Sequence, residues 1–180
     1  MNLRHIPNLI SILRMILVVP VVLLMLEHQF EWALGLFIIA GLSDAVDGYL
    51  AKRFNWISRL GEILDPLADK LLMISCYIVL WWLNYLPEWL VSIVIGRDIL
   101  IVLGAIMYRA KIQSKKITPT HISKVNTTAQ ILLICIVLFS IVVIDLPATV
   151  LTTIFVVVFL TTVGSGIDYV VIWYKKLNGQ

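Results

Sequence analysis

The sequence predicts an all-α integral membrane protein with six transmembrane helices. Three observations predict it. The 180 residues are 61% hydrophobic and only 14% charged, where a soluble domain carries about 25% charged residues, and mean hydropathy is +0.99. The apolar residues come in runs suited to a hydrocarbon core, as at 131–144 and 149–163. The basic residues fall in every second connection between those runs.

The first span is expected at about 7–26. It contains Arg14 and Pro20 and lacks a small-residue cleavage site, so it reads as a retained span and not as a signal peptide. The others are expected at about 32–50, 62–83, 88–108, 126–144 and 148–172. Glu27, His28 and Glu31 follow span one, Asn84 to Glu88 follow span three, and Asp145 and Pro147 follow span five. Lys52, Arg53 and Arg59 follow span two; Arg109, Lys111, Lys115, Lys116 and Lys124 follow span four; Lys175 and Lys176 follow span six. No Lys or Arg lies in the first set of connections. The positive-inside rule therefore puts the basic connections and both termini in the cytoplasm. Trp81, Trp82, Tyr85 and Trp89 read as an aromatic belt at the opposite interface. No internal repeat or Gly/Ser-rich linker interrupts the chain, so one domain over 1–180 is expected. Cys76 and Cys135 sit in separate apolar runs without a CxxC or Cys/His cluster and read as small core residues.

Four aspartates contradict this apolar setting. Asp44-x2-Asp47-Gly48-x2-Ala51 closes span two, and Gly61-x3-Asp65-x3-Asp69 opens span three. The topology puts both pairs toward the cytoplasmic leaflet. Four carboxylates at membrane depth would cost roughly 10–14 kcal/mol without compensation. At 100° per residue Asp44, Asp47, Gly48 and Ala51 share an arc of about 100°. The carboxylates thus flank a surface of small residues against which a flat ligand can lie. Gly61, Asp65 and Asp69 recur at i, i+4, i+8. Pro66 marks either the true start of that helix, with Asp65 as its cap, or a kink. Two unit charges about 5 Å apart repel by roughly 3 kcal/mol at an effective dielectric near 20, so such carboxylates protonate or capture metal. An all-oxygen set suits Mg²⁺ or Mn²⁺ and not zinc. Two hard cations beside a cytoplasmic opening point to phosphate chemistry. The bland alternative, interfacial charges reaching back to water, suits long Lys and Arg side chains and not a short Asp.

The string from Asp44 to Asp69 resembles the signature of the CDP-alcohol phosphotransferase family, D-x2-D-G-x2-A-R-x8-G-x3-D-x3-D. Seven of its eight fixed positions match with the spacing intact; Lys52, followed by Arg53, stands where the family has Arg. The resemblance implies six transmembrane helices around a polar cavity open to the cytoplasm, a CDP-linked lipid donor and release of CMP. It implies that Asp44, Asp47 and Asp65 hold two divalent cations, with Asp69 as general base and metal neighbour. Gly48 and Ala51 would face the cytidine, Gly61 would allow close approach, and Lys52 or Arg53 would hold the nucleotide phosphate. The family is commonly dimeric, and no nucleic-acid partner is expected.

Ile6-Pro7-Asn8-Leu9-Ile10-Ser11-Ile12-Leu13-Arg14 resembles the start of family members that make glycerol-based phospholipids, with Asn8 and Arg14 facing the site. The alternative for Arg14 is snorkelling from the cytoplasmic end. Arg97-Asp98 falls mid-span in span four, where it serves either as a structural ion pair or as an acceptor-phosphate contact. Ser123-Lys124-Val125-Asn126-Thr127 opens span five. Ser123 there is a candidate cap, and Lys124 a candidate phosphate contact or merely a solvated lysine. Phosphatidylglycerophosphate synthases typically read Gly-Lys-x-Lys-Thr at this place. The chain here is similar to the eukaryotic-type, CDP-diacylglycerol-dependent cardiolipin synthases, as are Ala33-Leu34-Gly35, Ala40-Gly41-Leu42-Ser43-Asp44 and Gly96-Arg97-Asp98. The expected acceptor is therefore phosphatidylglycerol, contacted by Arg14, Arg97, Lys124 and Asn126; glycerol 3-phosphate is the second reading. A divalent-cation transporter would also cluster carboxylates, but nearer the midplane between repeats. A phosphate-binding scaffold without turnover would not need Asp69. The expected location is a bacterial inner membrane, with the mitochondrial inner membrane as the alternative. Asp168 has no assigned role.

Overall fold

The computed structural model describes the backbone of residues 6–54, 61–111 and 120–177, with side chains over 10–43, 53, 67–104 and 120–172. These residues form six helices: α1 (Ile6–Leu26), α2 (Phe30–Phe54), α3 (Gly61–Trp82), α4 (Glu88–Lys111), α5 (His121–Val142) and α6 (Ala148–Leu177). Each expected span falls on one helix. Among the described residues, His121–Val142 and Ala148–Ile172 are long and apolar enough to cross a membrane, each with mean hydropathy 2.2. Ile10–Leu26 and Phe30–Ser43 are shorter apolar stretches. Asp69 with Lys70, and Arg97 with Asp98, interrupt the apolar character of α3 and α4.

The chain forms two compact units. The first comprises Met1–Tyr85 with Leu138–Asp145. In it α1 packs against both α2 and α3. Its buried side recurs at helical spacing: Ser11, Arg14, Val21 and Met25 on α1; Ala33, Phe37 and Ala40 on α2; Ala68, Leu72, Cys76 and Leu80 on α3. Ala33 and Ala40 are fully buried, and such small side chains let helix backbones approach closely.

Two helices of this unit end by the same device. His28 (φ 58°) and Asn84 (φ 63°) adopt the left-handed conformation. Around His28 the amide of Gln29 donates to Leu24 O (2.8 Å) and that of His28 to Met25 O (3.1 Å). Around Asn84 the amide of Tyr85 donates to Leu80 O (2.8 Å) and that of Asn84 to Trp81 O (2.9 Å). These paired bonds satisfy carbonyls that a helix end leaves open. Phe30 is then held edge-on between the rings of His28 (5.6 Å) and Tyr85 (5.5 Å).

The second unit comprises Leu86–Val137 with Leu146–Gln180, and in it α4 packs against α6. Pro87 and Pro147 immediately precede α4 and α6, where a missing amide N–H costs nothing. Their carbonyls accept from Leu90 (3.1 Å) and Val150 (2.9 Å). Trp89 meets Phe159 edge-on at 5.7 Å.

Three expectations change. The first turn of α5 begins at His121, not near 126, and its cap is Thr120: the Ser123 amide donates to Thr120 Oγ1 at 3.2 Å. Ser123 thus lies inside the helix and its hydroxyl is available for another role. Pro66 lies within α3, which begins at Gly61, so neither Pro66 nor Asp65 marks its start. Arg14 is 1% exposed on the packed side of α1, which leaves no room for the snorkelling alternative.

Large apolar side chains stay exposed along the faces turned away from these contacts. Ile12, Ile16 and Val19 on α1, and Val156, Val157 and Leu160 on α6, are examples. Rows of this kind fit hydrocarbon as the surrounding medium.

Candidate functional site

The aspartate signature spans the end of α2 and the beginning of α3. Residues 55–60 join the two helices and lie outside the described residues, as do the side chains of Asp44, Asp47, Gly48, Ala51, Lys52, Gly61 and Asp65. The backbone fixes their level. At 1.5 Å per residue, Asp47 lies about 10 Å and Asp44 about 15 Å before the end of α2. Asp65 lies about 6 Å and Asp69 about 12 Å beyond the start of α3. The two carboxylate pairs thus stand at matching levels, measured from the ends that one short connection joins. Asp69 is half-buried beside fully buried Ala68, while Arg53 is exposed. The Asn8 side chain lies outside the described residues. Among the described residues no group of three or more His, Cys, Asp or Glu gathers to hold a metal. A groove of about 330 Å³ lined by His28–Trp32, Ile141 and Val142 opens at the far end of α2. It is separated from Asp44 by roughly 18 Å of helix and takes no part in the signature.

The second polar centre is a buried cluster on α4, α5 and α6. Arg97 is 7% and Asp98 4% exposed. Arg97 Nη1 donates to Asp98 Oδ1 at 2.7 Å. Arg97 Nη2 donates to Ser123 Oγ at 2.7 Å and to Ser165 Oγ at 2.5 Å. The guanidinium carbon lies 5.9 Å from the centre of the Tyr169 ring. Three of its five N–H donors are spent, and Nε, buried, has no partner. One turn along α5, fully buried Asn126 engages α6: its Oδ1 meets Thr161 Oγ1 at 3.0 Å and Thr162 Oγ1 at 2.8 Å, while Nδ2 has no partner. Lys124, between these two buried positions in sequence, is exposed. The expected acceptor residues therefore divide: Arg97 and Asn126 are buried and organised by neighbours, and Lys124 is open.

Sequence reasoning did not find the α6 partners. Thr161, Thr162, Ser165 and Tyr169 recur on one face of a helix that reads as a plain apolar span. The available signal was that spacing of hydroxyls, three and four residues apart.

Six helices carrying a paired-aspartate signature, with large apolar side chains exposed on their outer faces, define an all-helical class of protein suited to apolar surroundings. The comparisons agree. Residues 4–172 match the profile of the CDP-alcohol phosphatidyltransferase family, and the chain belongs to that family. It is 37% identical over 145 residues to a cardiolipin synthase (CMP-forming) of Rattus norvegicus, covering 72% of this chain and 48% of that one. It is 32% identical over 183 residues to a cardiolipin synthase (CMP-forming) / mitochondrial hydrolase fusion protein of Schizosaccharomyces pombe, covering 93% of this chain and 31% of that one. A CDP-diacylglycerol–glycerol-3-phosphate 3-phosphatidyltransferase of Bacillus subtilis is 34% identical over 110 residues, covering 52% of this chain and 56% of that one. The chain spans about half or less of the length of these two cardiolipin synthases.

Proposed function

We propose that this chain is a single phosphatidyltransferase domain over 1–180. It transfers a phosphatidyl group from CDP-diacylglycerol to phosphatidylglycerol, giving cardiolipin and CMP, and acts as a homodimer in a bacterial or mitochondrial inner membrane. The observation that carries this reading is the intact aspartate signature at matching levels of α2 and α3. All six helices span, with the basic connections on the side where the aspartates lie.

The donor set fits hard cations: four carboxylates with no sulfur or imidazole in the signature, one of them the half-buried Asp69. Asp44, Asp47 and Asp65, with Asp69 beside them, would hold two divalent cations, Mg²⁺ or Mn²⁺. When bound, these supply charge neutralisation on the pyrophosphate and on departing CMP. Asn8, Gly48, Ala51, Gly61 and the Lys52–Arg53 pair seat the nucleotide. Asp69 takes the proton of the acceptor hydroxyl. The freed oxygen forms a bond to the phosphorus that carries diacylglycerol, the bond from that phosphorus to CMP breaks, and CMP leaves with the electron pair.

Arg14, Arg97, Lys124 and Asn126 serve the acceptor. Pairing with Asp98 at 2.7 Å leaves Arg97 a strong hydrogen-bond donor within a neutral pair. Such a donor suits the monoanionic diester of phosphatidylglycerol better than the dianionic monoester of glycerol 3-phosphate. The Bacillus subtilis relative keeps glycerol 3-phosphate as the second reading.

The test is CMP release by purified chain in detergent micelles with CDP-diacylglycerol, Mg²⁺ or Mn²⁺, and each acceptor separately. Cardiolipin and CMP are expected with phosphatidylglycerol. Product with glycerol 3-phosphate alone reverses the acceptor assignment, and absence of CMP with every alcohol overturns the transferase reading.

A further inference from the structure

The sequence around 161–169 reads as lipid-spanning helix, yet it carries buried hydroxyls: that of Thr162 meets Asn126, that of Ser165 meets Arg97 and that of Tyr169 meets Ser123. Thr162 and Ser165 are fully buried, and Tyr169 nearly so. Ser165 accepts from the same Nη2 that serves Ser123. This shared nitrogen matters geometrically. Asp98 is the next residue on Arg97's own helix, so their ion pair ties the side chain to α4 without fixing the guanidinium plane. Both N–H bonds of one Nη nitrogen lie in that plane. Two acceptors on Nη2, one from α5 and one from α6, therefore fix its orientation. The Tyr169 ring stands 5.9 Å from the guanidinium carbon, and a Cβ added at Gly166 would only touch Arg97 Cγ at 3.8 Å. The partnerless Nε–H is then left with one direction.

We propose that Ser165 is a positioning residue for acceptor recognition: it fixes the guanidinium plane of Arg97 so that the remaining N–H donors meet the acceptor's phosphodiester. This rests on the reading of Arg97 as an acceptor contact. Ser165 touches no substrate and acts through Arg97.

Steady-state kinetics on the purified full chain test it, with KM for phosphatidylglycerol and for CDP-diacylglycerol measured separately. Ser165→Ala is expected to raise the phosphatidylglycerol KM about fivefold, the size of one net hydrogen bond, with the CDP-diacylglycerol KM unchanged. Ser165→Thr, which keeps the hydroxyl, is expected to restore the acceptor KM to within about twofold of the parent. Ser165→Cys, nearly isosteric and a poor acceptor, is expected to behave as Ala does and carries the test if Ala fails to fold. Arg97→Lys separates the two layers of the argument. If it raises the acceptor KM while Ser165→Ala and Ser165→Cys leave that KM unmoved, the positioning role is wrong and the Arg97 reading stands. If Arg97→Lys leaves the acceptor KM unmoved, both fall. A lowered melting temperature with both KM values unchanged marks Ser165 as structural only and overturns the proposal.

Discussion

Asp98 sets how much positive charge Arg97 presents. Asp98→Asn keeps the shape and an acceptor atom but removes the neutralising charge. The Arg97 cation would then favour a dianion, and the ratio of kcat/KM for glycerol 3-phosphate over phosphatidylglycerol is expected to rise about tenfold, or roughly 1.4 kcal/mol. A buried cation left alone also destabilises, by about 3–5 kcal/mol, so the same variant should melt earlier. An unchanged acceptor ratio would show that the pair does not select by charge. Asp69 is tested differently. Asp69→Asn is expected to lose about 10²-fold or more in turnover, the usual worth of a general base, while Mn²⁺ binding followed by electron paramagnetic resonance persists. Equal loss of both would make Asp69 chiefly a ligand. The aspartates are legible in the sequence because carboxylates in apolar runs are conspicuous and their spacing is rigid. The surroundings of Arg97 are not, because Ser123 and Ser165 reach it from positions 26 and 68 residues away, and short hydroxyls in an apolar helix resemble filler.

At the scale of the helices, boundaries follow local chemistry where a signal is unambiguous. Pro87 and Pro147 announce α4 and α6, and the sequence places both starts correctly. The start of α5 is harder, because Thr120 and Ser123 are equally good caps and the apolar run begins only after Lys124. What settles it is tertiary: burial of Ser123 against Arg97 rewards a helix that includes it. The ends of α1 and α3 give a sharper test. Asn84 holds φ 63°, a region that glycine enters without steric cost. Asn84→Gly is expected to be neutral or to stabilise by a few tenths of a kcal/mol, and Asn84→Val to destabilise by about 1–2 kcal/mol, read from thermal unfolding in detergent. Val as stable as the parent would mean that this end is not held by the left-handed residue.

For the whole chain, hydropathy and charge pattern make different claims. Among the described residues, hydropathy and length together pick out α5 and α6 as able to cross a membrane. The distribution of Lys and Arg fits six, because six crossings put every basic connection on one side and every connection without Lys or Arg on the other. The exposed apolar rows of α1 and α6 fit hydrocarbon against those faces. Single cysteines decide between the two claims. Cys76 is buried and Cys135 half-buried, and both are first replaced by alanine. Cysteines are then placed one at a time at Glu27, Arg59, Lys115 and Asp145, and intact cells are treated with a membrane-impermeant maleimide. Six crossings put positions 27 and 145 outside, so these two are expected to label in intact cells. Positions 59 and 115 are expected to label only after the membrane is opened. Labelling of position 59 from outside would move the connection between α2 and α3 across the membrane. The aspartate signature would then sit at the wrong leaflet for release of CMP to the cytoplasm, and the six-span arrangement would fail together with the side assigned to catalysis.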